Sequence, residues 1–129
     1  MLNDDTLTKT VIPIQGTFDI AQGRNTIRTK INLRRWPIAF HARAATAMTA
    51  LGEMILMNDQ KQVVAVYITF LNGQGRYGVE FTCSLPKSIV EKIQWERKSH
   101  NLERAVDTLD LHENGDNILV EAYVLLGKE

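Results

Sequence analysis

Across residues 37–57 small and apolar side chains recur at spacings of three and four, whereas on both sides of that stretch the apolar period falls to two. A chain that changes period in this way is committed to mixing helix with sheet, because one amphipathic pattern cannot serve both. The helical set is Ile38, His41, Ala42, Ala45, Met48, Thr49, Gly52, Ile55 and Leu56, which predicts a helix over 37–57 with its exit at Asn58 and Asp59. Ala39, Ala42, Ala44, Ala45, Ala47 and Ala50 raise its propensity and keep its flanks thin, so a neighbouring element can approach closely.

Before that helix, Ile12, Ile14, Phe18 and Ile20 alternate and predict a strand over 10–20, with Pro13 marking an edge position or a bulge. Residues 21–25 carry turn chemistry, and Ile27, Ile31 and Leu33 resume the alternation, giving a first hairpin that ends at Trp36 and Pro37. After the helix, residues 63–71 are β-branched and aromatic on both faces, the pattern of a central strand covered on each side. Asn72, Gly73, Gln74, Gly75 and Arg76 then form a hairpin loop. In the returning strand Tyr77, Val79, Phe81 and Cys83 alternate with Gly78, Glu80, Thr82 and Ser84. A second helix starts at Ser84 or Leu85 ahead of Pro86, with Ile89, Val90 and Ile93 inward, and runs to the charged tract at 96–98. Residues 101–111 fit a helix through Leu102, Ala105, Val106 and Leu109 or a strand through Leu109 and Leu111. Asn114 to Asn117 make a turn, and Ile118, Val120, Ala122, Val124 and Leu126 a last strand.

The expected fold is therefore α+β, a mostly antiparallel sheet of five to six strands with two main helices, in the approximate order ββαββα(β)β. At 129 residues, 44% of them hydrophobic and 23% charged, one domain over 1–129 can bury a core without disulfides. The single cysteine, Cys83, lies in an apolar strand pattern and reads as a buried structural thiol. No apolar run is long enough to span a bilayer, and residues 1–9, with Asp4 and Asp5, have no signal-like apolar core. The expectation is a cytoplasmic protein with no membrane association.

Net charge is zero, but the charges are segregated. Residues 1–50 hold seven bases against three acids, a net of +4, while residues 101–129 hold two bases against seven acids, a net of −5. Within the first group Arg24, Arg28, Lys30 and Arg34 share even numbering, with Arg35 adjoining, while Ile27, Ile31 and Leu33 are odd. Period two places the four cations on one face of the predicted second strand, where successive same-face positions lie about 6.6 Å apart, as a basic ribbon able to follow a phosphodiester backbone. Tyr67, Tyr77 or Trp36 would be the residues to stack a base. The alternative is a solvated face neutralised by the acidic C-terminal segment. Met48, Met54 and Met57 offer an adaptable interface for a second copy of the chain, with core packing as the alternative.

Catalytic and metal signatures are missing. His41, His100 and His112 lack partners at zinc-type spacing, and Asp107, Asp110, Glu113 and Asp116 lack the ligand alternation of a calcium loop, so no metal and no cofactor is expected. The glycines at 73, 75 and 78 join two strands and do not form a phosphate loop, and neither a GxSxG nor a CxxC motif occurs. The function this implies is a small non-catalytic binding or regulatory protein. It would act through protein–protein contacts, as a homodimer or in a regulatory complex, using the basic strand face and the acidic C-terminal surface. A nucleic-acid-binding module using the ribbon at 24–35 is one alternative. A small enzyme assembled from His41, Glu53, Tyr67 and Glu80 is the other, and a concave pocket holding His41 beside a carboxylate would favour it.

Overall fold

A computed structural model of the chain describes residues 9–57, 63–73, 75–92 and 99–126. Its strands are β1 (Lys9–Ile14), β2 (Val64–Gly73), β3 (Arg76–Pro86), β4 (Thr108–Asn114) and β5 (Asn117–Leu125). They form one antiparallel sheet in the order β1-β2-β3-β5-β4. The α+β class and the antiparallel sheet of five strands are as expected. Pro13 lies on the edge strand β1, where a missing ladder donor is tolerated.

One face of the sheet is buried by Ile12, Ile14, Val66, Ile68, Phe70, Phe81, Cys83, Val120, Ala122 and Val124, all in one continuous core with the helices. Among the described residues the opposite face is open, with exposed and half-buried side chains. Register places Val11, Tyr67, Thr82, Glu121 and Asp110 in one cross-strand row there, and Lys9, Thr69, Glu80, Tyr123 and Thr108 in the next. The 63–71 segment is accordingly not covered on both sides, since Tyr67 is 40% exposed, and the middle strand of the sheet is β3.

The largest departure from the sequence reading lies between β1 and β2. No first hairpin forms; residues 17–34 are the helix α1 (Thr17–Arg34), followed by α2 (Ile38–Leu56). Ile20, Gly23, Ile27 and Ile31 are buried, and at 100° per residue they occupy a sector of about 80°. The Asp19 carboxylate starts α1 by accepting from the Gln15 and Gly16 amides at 2.7 and 3.1 Å. Arg35 ends it in the left-handed conformation (φ 58°), with its amide donating to Asn32 O at 3.1 Å and that of Trp36 to Ile31 O at 3.3 Å, a Schellman closure. Pro37 then opens α2.

Two glycines let the helices touch. A Cβ on Gly23 would lie 2.8 Å from Met48 Sδ, and one on Gly52 would lie 2.6 Å from Ile20 Cγ1. On α2 the sheet-facing stripe is Phe40, Ala44, Ala47, Leu51 and Met54. The inward face is thus rotated from the expected one: Ile38 is 85% exposed and Ala42 is also exposed. Met48 and Met54, the expected interface residues, are buried in the core of their own chain, and of the three methionines Met57 alone is exposed.

Pro86 closes β3, and α3 (Lys87–Lys92) follows it with Val90 against the core. The expected helix exit at Asn58 and Asp59 and the stretch from Ile93 to Lys98 lie outside the described residues. The ambiguous 101–111 segment is both things in turn: α4 (His100–Ala105) buries Leu102 and Ala105, and β4 begins at Thr108. The turn between β4 and β5 has Gly115 at φ 65°, a conformation that suits glycine.

Candidate functional site

Because residues 17–34 are helical, the four even-numbered cations do not share a face. Arg24 and Arg28, four apart, flank one side of the buried stripe, while Lys30 and Arg34 lie toward the other. Arg34 is half-buried; its guanidinium lies 4.8 Å from the Phe70 ring and 5.7 Å from Trp36, and Nη1 donates to Lys30 O at 3.1 Å. It therefore braces the corner where Trp36 meets Phe40 edge-on at 5.3 Å. Arg35 is exposed and acts through its backbone as the helix cap. The basic ribbon expected at 24–35 does not exist, since a helix turns side chains by 100° per residue where a strand would alternate them.

The structure assembles a different basic feature. α1, α2 and α4 enclose an open cleft of about 600 Å³ with Arg24, Arg43, Thr49, Glu53, Asn101 and Arg104 among its lining residues. Beside it, along the same α1–α2 seam, is a depression of about 310 Å³ that includes Arg24, Arg28 and His41. Arg24 borders both. Arg43 is committed to the fold: Nη2 pairs with Asp107 Oδ2 at 2.9 Å, and that same oxygen accepts from the Leu125 amide at 2.6 Å, tying α2 to the end of β5. Arg28 donates to the neutral Asn25 side chain. Among the described residues neither Arg24 nor Arg104 has a carboxylate within 4.0 Å, and Arg43–Asp107 is the ion pair that joins the basic first part of the chain to its acidic last part.

The residues of the enzyme reading are dispersed. His41 has Arg24 and Arg28 beside it in the depression, not a carboxylate, and Glu53 lies in the larger cleft. Tyr67 and Glu80 are on the open face of the sheet, the side away from α2. Glu80 there accepts from the Tyr123 hydroxyl at 2.9 Å. Burial, and then the Glu80 carboxylate, raise the Tyr123 pKa, while the Arg76 guanidinium 4.6 Å from its ring opposes the rise. Cys83 is buried in the core, and desolvation pushes its pKa up to about 12, so it is a structural thiol.

Linear spacing shows no metal set, but the sheet places Asp110, His112 and Glu121 together, with one donor atom from each lying within 4.8 Å of the others. Arg104 and Asn101 were likewise not legible as site residues, because only the packing of α4 on α2 brings them to the cleft. The one local signal was the i, i+4 spacing of Arg24 and Arg28 beside the isoleucine stripe. Among the described residues no helix is long and apolar enough to cross a membrane. No known family model matches this chain, and no curated protein matches it in sequence.

Proposed function

We propose that this protein is a non-catalytic binding module that engages a carboxylate-bearing protein partner through the α1–α2–α4 cleft, within a regulatory complex in a reducing, cytoplasmic setting. The observation that carries this reading is the pair of guanidiniums, Arg24 and Arg104, that line the cleft without a carboxylate partner among the described residues. A concave surface with an excess of one charge concentrates its field there and favours ligand groups of the opposite sign. Arginine suits carboxylates because its planar fork donates in pairs. The cleft volume lies within the range of ordinary ligand sites, so it has room for one or two acidic side chains rather than for a whole domain. The free thiol of Cys83, buried in the core, fits a compartment without oxidative pressure.

A fluorescent polyglutamate peptide, followed by anisotropy across a salt series, tests the proposal. The wild type should bind with an affinity that falls as salt rises. R24Q/R104Q should bind about tenfold more weakly, the loss expected from two partly exposed charge contacts. Equal affinity in the double variant overturns the proposal. So does tighter, R24Q-sensitive binding of a DNA oligonucleotide of matched charge, which would move the reading to nucleic acid. Sedimentation of the free protein identifies a second copy as the partner if association is concentration-dependent and is lost in R24Q/R104Q.

A further inference from the structure

We propose that Asp110, His112 and Glu121 form a site for a divalent first-row transition ion, zinc being the ion their donor set fits, on the open face of the β4–β5 ladder. β4 and β5 pair so that Asp110 stands directly opposite Glu121, and His112, two residues along β4, projects from the same face. One donor atom from each lies within 4.8 Å of the other two, and His112 Nε2 is already 3.1 Å from Glu121 Oε1. Tetrahedral zinc with bonds of about 2.0–2.2 Å holds its ligand atoms about 3.4 Å apart, so small rotamer adjustments close the site. Directly opposed carboxylates on neighbouring strands repel each other, and a cation between them turns that repulsion into attraction. Three protein ligands on an exposed face leave the fourth position to water.

The donor chemistry selects the ion. One imidazole with two carboxylates favours zinc and its neighbours, whereas calcium asks for six to eight oxygens. The other two histidines do not offer such a set: His41 lies beside Arg24 and Arg28, and His100 has Glu103 at 3.8 Å as its one carboxylate within 4.0 Å among the described residues. The site also has a structural consequence. β4 is an edge strand with Leu109 as its half-buried residue and the remainder exposed, so an ion shared with β5 would reinforce the ladder that holds it in the sheet.

Zinc chloride titrated into the full chain by calorimetry, with H112Q and D110N as variants and H41Q and H100Q as controls, decides the matter. The wild type and both controls should take up one equivalent with the same affinity, and H112Q and D110N should each bind at least tenfold more weakly. Amide hydrogen exchange along β4 should slow with zinc in the wild type and remain unchanged in D110N. Undiminished binding in H112Q and D110N, or an equimolar calcium salt displacing the zinc, overturns the assignment.

Discussion

Replacing Gly52 by alanine probes the helix pairing on which the site depends. In an ordinary helix interior the change is favourable by about 0.5–1 kcal/mol, because alanine loses less backbone entropy on folding. Here the new Cβ would lie 2.6 Å from Ile20 Cγ1 and 2.9 Å from its Cδ1, where carbon atoms prefer about 3.5–4.0 Å. Ile20 is 5% exposed and β-branched, so its side chain cannot swing clear. The helices must separate by about an ångström or Ile20 must leave its rotamer, at the usual overpacking cost of about 1–3 kcal/mol. The two terms leave a net destabilisation of about 0–2.5 kcal/mol. Urea unfolding followed by circular dichroism should show this as a lower midpoint at unchanged slope. In an Ile20→Ala background the obstructing atoms are gone, so G52A should there become neutral or stabilising. A stabilising G52A in the wild-type background would mean that α1 does not lie against α2, and the cleft would lose its frame.

Two further outcomes follow from local geometry. Arg35→Gly should raise stability by about 0.5–1 kcal/mol, because glycine takes the left-handed cap conformation without the strain a Cβ brings; a loss of stability in thermal unfolding would contradict that view of the cap. The folded-state pKa of Cys83 is raised from 9.0 to about 12, so its protonated form contributes stability that is complete below pH 9 and is lost as pH rises toward 12. Cys83→Ala should therefore flatten the alkaline decline in that window by up to about 1.4 kcal/mol per pH unit. Tyr123, raised in the same direction, leaves a residual slope. An identical pH profile in the variant would refute the assignment.

The parts of the fold legible in the sequence were those whose period had no competitor. β5 alternates cleanly through Val120, Ala122 and Val124, and α2 repeats over five turns, so both were found within a residue or two. α1 failed because two periods coexist in it. Ile20, Gly23, Ile27 and Ile31 follow helical spacing, whereas the even numbering of Arg24, Arg28, Lys30 and Arg34 imitates a strand face. Gly23 reads locally as a turn residue, yet its lack of a side chain serves the approach of Met48 from α2, which no local pattern reveals. Leu33 continues the alternation in the sequence but is 77% exposed. Of the site, Arg24 and Arg28 stand out in the sequence as cations, but the period-two reading places them on a strand where the structure has a helix. Arg104 and the Asp110, His112 and Glu121 grouping depend on helix docking and strand register, neither of which is carried by nearby residues.

The account turns on where an acidic partner touches the molecule, and backbone and arginine side-chain NMR shifts during titration with the polyglutamate peptide measure that directly. Perturbations should concentrate on Arg24, Asn101 and Arg104 and spare the open sheet face around Tyr67 and Thr82. Shifts confined to that sheet face, with the guanidinium resonances unmoved at saturation, would contradict it.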